Sequence, residues 1–282
     1  RKGGLMLAES ADQMAFLEKK AVREEIHGLN VALLDRTELD RIAPWIGPHI
    51  VGAELCGDEG KLNPLLANRQ LAGACADKGV TCISDRIDAL CLTDGGVSAE
   101  GSSGTYRADQ AIIAAAWGSG ALAGNFGVTI PTAPEPLHMN ITEASDQEID
   151  HLVQHAEQSI TLKQFRTGQI VIGGGWPADD HGRCAPPGVR VGSLVGNVAL
   201  AARLAPAIGS LRVIRTWAGM NTTADGSSII GRLPHAERVI MAVPGDAGYT
   251  LAPVVAQMAA SIALGREPPA DPAPYSPARF AA

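Results

Sequence analysis

The chain has few aromatic residues and no surplus of positive charge. Phe, Trp and Tyr make up 4% of the 282 residues, and 30 acidic residues outnumber 23 basic ones. Nucleic-acid binders usually carry a basic patch, and those that bind single strands add aromatic side chains for stacking. The composition therefore argues against a nucleic-acid partner. With 46% apolar residues, the chain is otherwise typical of a globular protein.

Cysteines are few and irregularly spaced. The five cysteines form no Cys-x-x-Cys pair, so neither a zinc site nor a disulfide framework is predicted. Reduced thiols in a cytoplasmic protein are expected instead. No apolar run reaches the ~20 residues that a membrane span needs. No signal peptide is visible, although the first residue is Arg1, so an upstream targeting segment stays open.

One pair of histidines has the spacing of metal ligands. His151 and His155 lie four residues apart, which would place them on one face of a helix. The neighbouring segments 146–150 and 154–158 are rich in acidic and amide side chains, which is typical of a solvated helix face. The sequence therefore predicts no metal site.

Local patterns predict a mixed α/β protein. Ser10, Thr37 and the pair Asn63-Pro64 indicate three helix starts. The apolar run 111–116 indicates a strand buried on both faces, as in a parallel sheet. From Ile141 to Ile172 the pattern is that of antiparallel strands, with a helix after it. A β-rich segment between two segments of βα pattern predicts two interleaved domains.

Several shorter elements complete this prediction. The Pro-rich tail is expected to be extended or frayed, and the turn Asp94-Gly95 is expected to join two strands. The remaining strands are predicted at 4–7, 80–83, 89–92 and 96–99, and the helix after the antiparallel strands at 188–204.

Two glycine-rich segments resemble nucleotide-binding loops but have the wrong spacing. Gly118-Ser119-Gly120 follows an apolar strand, yet the third glycine, Gly124, arrives one residue late for a dinucleotide motif. A plain strand-to-helix turn is the simpler interpretation. No Lys-Ser/Thr pair follows the second segment, residues 173–176, so it is no phosphate loop. A Gly-x-Ser-x-Gly elbow is also missing, and hydrolase chemistry has no support.

Two segments near the C-terminus carry the strongest pattern. The first runs from Trp217-Ala218-Gly219 through Asp225-Gly226 to Gly231. The second, Gly245-Asp246-Ala247-Gly248-Tyr249-Thr250, precedes an apolar helix. Small residues allow backbone N–H groups to approach an anion closely, and the helix adds its positive end. A strand–turn–strand and an ordinary helix N-terminus remain the alternatives.

These two segments, in this order, resemble the C-terminal half of the D-amino-acid-oxidase-like family of FAD-dependent oxidoreductases. The Gly219-Met220-Asn221-Thr222 variant is most similar to components of multi-subunit opine, D-hydroxyproline and hydrogen-cyanide-synthase type dehydrogenases. The family normally opens with a strand, a G-x-G-x-x-G turn and a helix, and no such unit comes first here. The resemblance thus implies a flavoenzyme chain lacking its dinucleotide-binding start.

The resemblance also implies a division into domains. Segments 56–125 and 213–270 would form a truncated, discontinuous FAD-binding domain. Segments 1–55 and 126–212 would form a substrate domain built on an antiparallel sheet, and 271–282 would be a tail.

The site residues follow from the same resemblance. In the family, a strand ending in Ala-Ala-Gly passes under the cofactor, and Ala116 stands where that glycine is expected. Glycine-oxidase-like members place an arginine for the substrate carboxylate where Asn221 stands, so this carboxylate clamp is absent. Tyr249 and Asn221 are the implied catalytic residues, and Gln164, Trp176 and Met220, with Lys163 nearby, would line the substrate side. The implied FAD contacts are Ile87, Ala115, Ala116, Trp117, Gly219, Gly245, Asp246, Ala247, Gly248, Tyr249, Thr250 and Leu251.

The implied reaction is oxidation of the C–N bond of an amino acid or an N-substituted amino acid. A hydride would pass from the carbon beside the nitrogen to flavin N5, and electrons would go on to partner subunits or another acceptor. A single-chain amino-acid or amine oxidase is one alternative. A catalytically inactive remnant or scaffold subunit without FAD is the other, because the missing start would carry the main pyrophosphate contact.

Overall fold

The computed structural model describes residues 2–146, 149–182 and 185–281. The six α-helices in this part of the chain are α1 (Ala11–Ile26), α2 (Arg36–Ile42), α3 (Pro64–Asp77), α4 (Ser119–Ala123), α5 (Val191–Leu204) and α6 (Gly248–Ala263). The first seven strands are β1 (Gly4–Ala8), β2 (Val31–Asp35), β3 (Gly52–Cys56), β4 (Ile87–Leu92), β5 (Val97–Gly101), β6 (Thr105–Ala108) and β7 (Ala111–Ile113). The later strands are β8 (Ala133–Ala144), β9 (Leu152–His155), β10 (Thr161–Gln164), β11 (Gln169–Gly173), β12 (Val213–Thr223), β13 (Ile229–Leu233) and β14 (Ala236–Val243).

The helix starts follow local capping chemistry. The Asn63 side chain accepts hydrogen bonds from the N–H groups of Leu65 and Leu66, as the Asn63-Pro64 pair predicts. Ser10 caps α1 by accepting from Gln13 N–H at 3.2 Å. The predicted cap at Thr37 is wrong. Asp35 caps α2 instead, two residues earlier in the chain, because its carboxylate and Glu38 form a reciprocal capping box.

The chain divides into two compact units. The first comprises Arg1–Val80 and Pro136–Gly219, and the second Thr81–Glu135 and Met220–Ala282. Residues 56–80 thus lie in the first unit, whereas the sequence-based division grouped them with the FAD-binding segments. Which unit binds which ligand remains a prediction.

The first unit is built on a large sheet. Its eight strands lie in the order β12-β8-β11-β10-β9-β1-β3-β2, and all described pairs are antiparallel except β1 with β9. Leu5, Leu162 and Ile172 on one face pack against Leu200 and Leu204 of α5. This confirms the predicted antiparallel strands in the middle of the chain.

The second unit contains two three-stranded sheets, β13-β14-β7 and β4-β5-β6. One core cluster joins Val97 of β5 to Val239 and Met241 of β14. A second cluster joins Ile240 to Val255 and Met258 of α6. The sheet β13-β14-β7 is therefore packed on both faces where β14 runs through it.

The run 111–116 is only partly the predicted strand. It pairs with β14 in parallel, as expected, but β7 has three residues and lies at the sheet edge. Ile112 is 47% exposed, because it lies on the α6 face while α6 packs on β13 and β14. The expectation of burial on both faces is wrong.

Two further expectations differ from the structure. Residues 80–83 form no strand, and Ile83 is 59% exposed; an apolar run becomes a strand only where a neighbour supplies hydrogen-bond partners. The tail is not frayed. It forms short 3₁₀ turns at Ala273–Tyr275 and Pro277–Phe280, and Phe280 packs on the core that includes Val239.

The described residues contain no disulfide bond and no helix that could span a membrane. Cys56, Cys75, Cys82 and Cys91 are free thiols, and Cys184 lies outside the described residues. Within the described ranges, none of the helices combines the length and apolarity needed to span a bilayer.

Candidate functional site

Two loops of the second unit leave the same edge of a parallel strand pair. Ile112 lies opposite Ile240, and Ile113 opposite Met241, with both strands running in one direction. The loops that follow β7 and β14 therefore start side by side. In sheets with parallel strands, ligands bind outside the carboxyl ends of the strands.

The first loop has an unusual backbone. Ala116 has φ 50°, one of two non-glycine residues with positive φ in the described residues. This conformation favours glycine, and it occurs at the position where the resemblance places one. The Ser119 hydroxyl accepts a hydrogen bond from Ala115 N–H at 3.1 Å and holds the turn.

The second loop is built from small residues. Gly245 has φ 75° and begins a 3₁₀ turn over Gly245–Ala247. Helix α6 starts at Gly248, two residues earlier than Thr250, where it was expected. A methyl group at Gly248 would meet only Pro244 Cγ, at 3.9 Å. Since no side chain caps this helix, its positive end is suited to an anionic group.

A hydrogen bond from the turn before β13 stabilises the loop after β14. Ser228 Oγ donates to Pro244 O at 3.0 Å. Arg279, from the tail, donates to Ser228 O and to both carboxylate oxygens of Asp225. The Arg279 guanidinium lowers the pKa of Asp225. Sequence reasoning missed this support, because no local pattern links residues 54 positions apart.

The strand β12 carries the residues of the first late motif. Gly219 is exposed, and a methyl group added there would meet open space. Asn221 is partly buried, and its Nδ2 donates to Glu135 Oε2 at 2.9 Å. The amide of Asn221 is therefore fixed by a carboxylate of β8 that sequence reasoning did not identify. Met220, the residue between them, is partly buried.

The predicted substrate residues Gln164 and Trp176 have protein partners in the first unit. Gln164 Oε1 accepts from Ile149 N–H at 2.7 Å, while its Nε2 donates to the carbonyls of Ser145 and Gly168. Trp176 Nε1 donates to Ser159 O at 2.7 Å. Both side chains thus organise loops, and their substrate role stays a prediction.

The remaining predicted cofactor contacts lie in the second unit. Ile87 packs at the edge of the core cluster that contains Leu90. The carbonyl of Trp117 accepts from Thr132 Oγ1 at 3.0 Å, which ties the turn after β7 to a neighbouring loop. Tyr249 is 47% exposed in the first turn of α6. The cofactor contacts of Ala115, Asp246, Ala247, Thr250 and Leu251 also remain predictions.

The two histidines do not lie on a helix. His155 belongs to strand β9, and both His151 and His155 are buried, so the predicted solvated helix face is wrong. His155 Nδ1 accepts hydrogen bonds from the N–H groups of Glu157 and Gln158. Burial lowers the pKa of both histidines. Among the described residues, no group of three or more His, Cys, Asp or Glu is placed to hold a metal ion.

A cavity of about 880 Å³ opens in the first unit. Lys2, Lys61 and Arg166 line it together with Asp146 and Asp150. Because charges of both signs line the cavity, it does not select for a ligand of one charge.

The chain is similar in sequence to known flavoenzymes. The sequence profile of the family described as DAO, FAD dependent oxidoreductase, matches residues 1–262. A component of the opine oxidase of Agrobacterium tumefaciens (strain Ach5) is 28% identical over 225 residues, 78% of this chain and 57% of that protein. The beta chain of the sarcosine oxidase of Rhodobacter capsulatus is 25% identical over 273 residues, 91% of this chain and 65% of that protein. The chain thus spans less than two thirds of the length of these curated relatives.

A solved structure shows the same fold. Glycine oxidase from Geobacillus kaustophilus superposes with a TM-score of 0.87 at 19% sequence identity, covering 98% of this chain and 74% of that chain. The predicted mixed α/β fold class is confirmed.

Proposed function

Because the chain belongs to the DAO family of FAD-dependent oxidoreductases, we propose that it oxidises the C–N bond of an amino acid or N-substituted amino acid. This family and its cofactor, FAD, agree with the prediction made from the two motifs near the C-terminus. The names of the relatives, opine oxidase and sarcosine oxidase, suggest the substrate class. Both relatives are named as subunits, which supports a role for this chain within a multi-subunit enzyme.

The observation that carries the proposal is the pair of loops at the carboxyl ends of β7 and β14. Gly245 has a left-handed backbone, and α6 presents an uncapped positive end at Gly248. These features fit an anionic, flat cofactor that needs close backbone approach. The residues that would hold FAD are Ala115, Ala116 and Trp117 after β7, and Gly245 to Leu251 after β14.

When bound, FAD would supply the acceptor for the hydride that leaves the carbon beside the substrate nitrogen. The chain's own contribution is positioning. The positive end of α6 would stabilise negative charge that develops on the bound group. The Asn221 amide, fixed by Glu135, would orient a polar substrate atom next to β12, and Tyr249 would lie beside it.

The test is spectroscopic. The purified chain, with its mass confirmed, is mixed with FAD, and the spectrum is followed anaerobically on addition of sarcosine, glycine or L-proline. We expect an oxidised-flavin spectrum that stays with the protein on gel filtration and is bleached by at least one substrate. A folded, colourless protein that FAD does not convert would contradict the proposal and favour the inactive scaffold subunit.

A matched pair of variants at one position links the signal to α6. Gly248→Asp adds a negative charge that suits a helix N-terminus but repels an anionic group, whereas Gly248→Ala adds only the methyl group. We expect both variants to fold, and the aspartate variant to bind FAD about tenfold or more weakly than the alanine variant. Equal affinities would argue against this loop as the FAD site.

A further inference from the structure

The large sheet of the first unit has two chemically different faces. Ile160, Leu162 and Ile172 point to the core beneath α5 and are almost completely buried. On the opposite face, Met139 and Trp217 are only partly buried. Helix α1 covers the second face over β1, β2 and β3. Within the first unit, α1 packs on β1, β2 and β3 and does not extend in the same way over the part formed by β8, β10, β11 and β12.

Lys163 lies on this second face of the sheet, where it is partly buried. Side chains alternate along a strand, and its neighbour Leu162 points to the core with no exposed surface. In the register of the sheet, Lys163 pairs with Val171 of β11. Lys163 thus brings a positive charge next to the apolar side chain of Val171.

The ammonium group of Lys163 is not neutralised. In the described part of the chain, it is the one partly buried lysine or arginine without a hydrogen-bond or ion-pair partner; the others in this class, Lys20, Arg36, Lys61 and Arg232, all have one. Burial alone lowers the pKa of Lys163, and no carboxylate raises it again. A cation held in this way is costly unless a ligand supplies the opposite charge.

The surroundings of Lys163 suit a small organic anion. Thr161, two residues earlier on the same strand face, adds a hydroxyl group. Gly173 lies opposite Thr161, and a side chain there would overlap Met139, which therefore lies over this part of β11. Around Lys163, the face thus presents one positive charge, one hydroxyl group and apolar side chains from Val171 and Met139.

We propose that Lys163 binds the carboxylate of the amino-acid substrate, a role that rests on the proposed function. The alternative position on β12 offers no cation, since Asn221 is neutral and its amide already donates to the Glu135 carboxylate. A second carboxylate beside Glu135 would be repelled. Lys163 would therefore select ligands that have a free carboxylate and a small, weakly polar remainder.

The experiment measures equilibrium binding and needs no flavin. Dissociation constants of sarcosine and L-proline are determined by NMR titration of the full chain, together with their carboxylate-free counterparts dimethylamine and pyrrolidine. Lys163→Met keeps the length and removes the charge, Lys163→Arg keeps the charge, and Lys78→Met at an exposed position is the control. We expect the methionine variant to bind the two acids about 10- to 100-fold more weakly, with unchanged affinity for the amines.

The arginine variant and the Lys78 control should stay within about threefold of the wild type, because both keep the positive charge at position 163. Acid binding that is unchanged in Lys163→Met would overturn the proposal, and so would a wild type that binds neither acid. Equal loss of acids and amines would show a packing defect instead of a lost carboxylate contact, and it too would count against the proposal. Flavin reduction is read separately, so failure of the oxidation leaves this binding result intact.

Discussion

Asn221 and Glu135 are joined by a 2.9 Å hydrogen bond from the amide Nδ2 to the carboxylate Oε2. Glycine-oxidase-like members place an arginine where Asn221 stands. In this chain the neutral amide of Asn221 is instead paired with the Glu135 carboxylate. The acid therefore fixes the orientation of the amide, and the two residues should behave as one unit.

This pairing predicts non-additive mutations. Asn221→Ala and Glu135→Ala should each destabilise the protein, and the double variant should lose about 1 kcal/mol less than the sum. The measurement is a double-mutant cycle by urea unfolding. Asn221→Ala combined with Glu237→Ala, at an exposed position of β14, serves as the control and should be additive. Additivity at Asn221 and Glu135 would mean that the hydrogen bond contributes nothing.

Ala116 adopts a backbone conformation that alanine disfavours. At φ 50°, the methyl group costs about 1–2 kcal/mol, and glycine would remove that cost while adding some freedom to the unfolded chain. We expect Ala116→Gly to raise the free energy of unfolding by about 0.5–1 kcal/mol. Ala115→Gly, at φ −93°, should lower it by a similar amount. A loss of stability at both positions would contradict the strain at Ala116.

Gly245 and Gly248 should respond oppositely to the same methyl group. Gly245 has φ 75°, and an added Cβ would lie 3.2 Å from Ser227 O. Gly245→Ala should therefore cost about 2 kcal/mol or more. Gly248 is the first residue of α6 with φ −45°, so Gly248→Ala should be neutral or stabilising by up to about 1 kcal/mol. Thermal unfolding of both variants checks this, and equal effects would contradict it.

Where the chemistry is local, the sequence was informative. The Asn63-Pro64 helix start, the Asp94-Gly95 hairpin and the α6 loop each depend on residues within a few positions of one another, and the structure has all three. The family was identified in the same way, from two motifs about fifteen residues apart.

Where partners come from far along the chain, the sequence was misleading or silent. Residues 80–83 have the composition of a strand but no neighbouring strand, and His155 has helical spacing but lies in β9 between β1 and β10. The face on which Lys163 lies could be identified only from the strand order and register. The sequence placed Lys163 near the implied substrate side, but it could not show that Lys163 lacks an ion-pair partner.

The tail depends on one such distant contact. Arg279 donates to both oxygens of Asp225, at 2.8 and 2.9 Å, and its guanidinium lies 4.4 Å from the Phe280 ring centroid. Arg279→Ala should cost about 1 kcal/mol of stability at neutral pH, whereas Arg266→Ala, at an exposed position, should cost little.

Because Asp225 has a lowered pKa when folded, the stabilisation is present above its ordinary pKa of 3.8 and is lost as pH falls below it. Urea unfolding at pH 7 and pH 3 tests both statements, and an equal cost at the two pH values would contradict the ion pair.

Glu54 gives the opposite pH dependence. Its carboxylate is 1% exposed, and Lys20 Nζ lies 2.7 Å from its Oε2 and 2.6 Å from Glu24 Oε1. Burial, together with the hydrogen bond to Glu24, raises the pKa of Glu54 to about 7 despite the attraction of Lys20. The folded protein therefore holds this proton more tightly than the unfolded chain does. Stability must fall as pH rises from about 4.5 to about 7, and the effect then levels off.

Removing the titrating group should flatten this dependence. Glu54→Gln keeps the shape, so between pH 5 and pH 8 the variant should lose about 1–2 kcal/mol less stability than the wild type, after the offset by Lys20 is allowed for. Glu18→Gln, an exposed change on helix α1, which also carries Lys20, should leave the wild-type dependence intact. The measurement is the free energy of unfolding in urea at both pH values. Parallel pH curves for wild type and Glu54→Gln would show that Glu54 is already ionised at pH 5, held charged by Lys20 in spite of its burial.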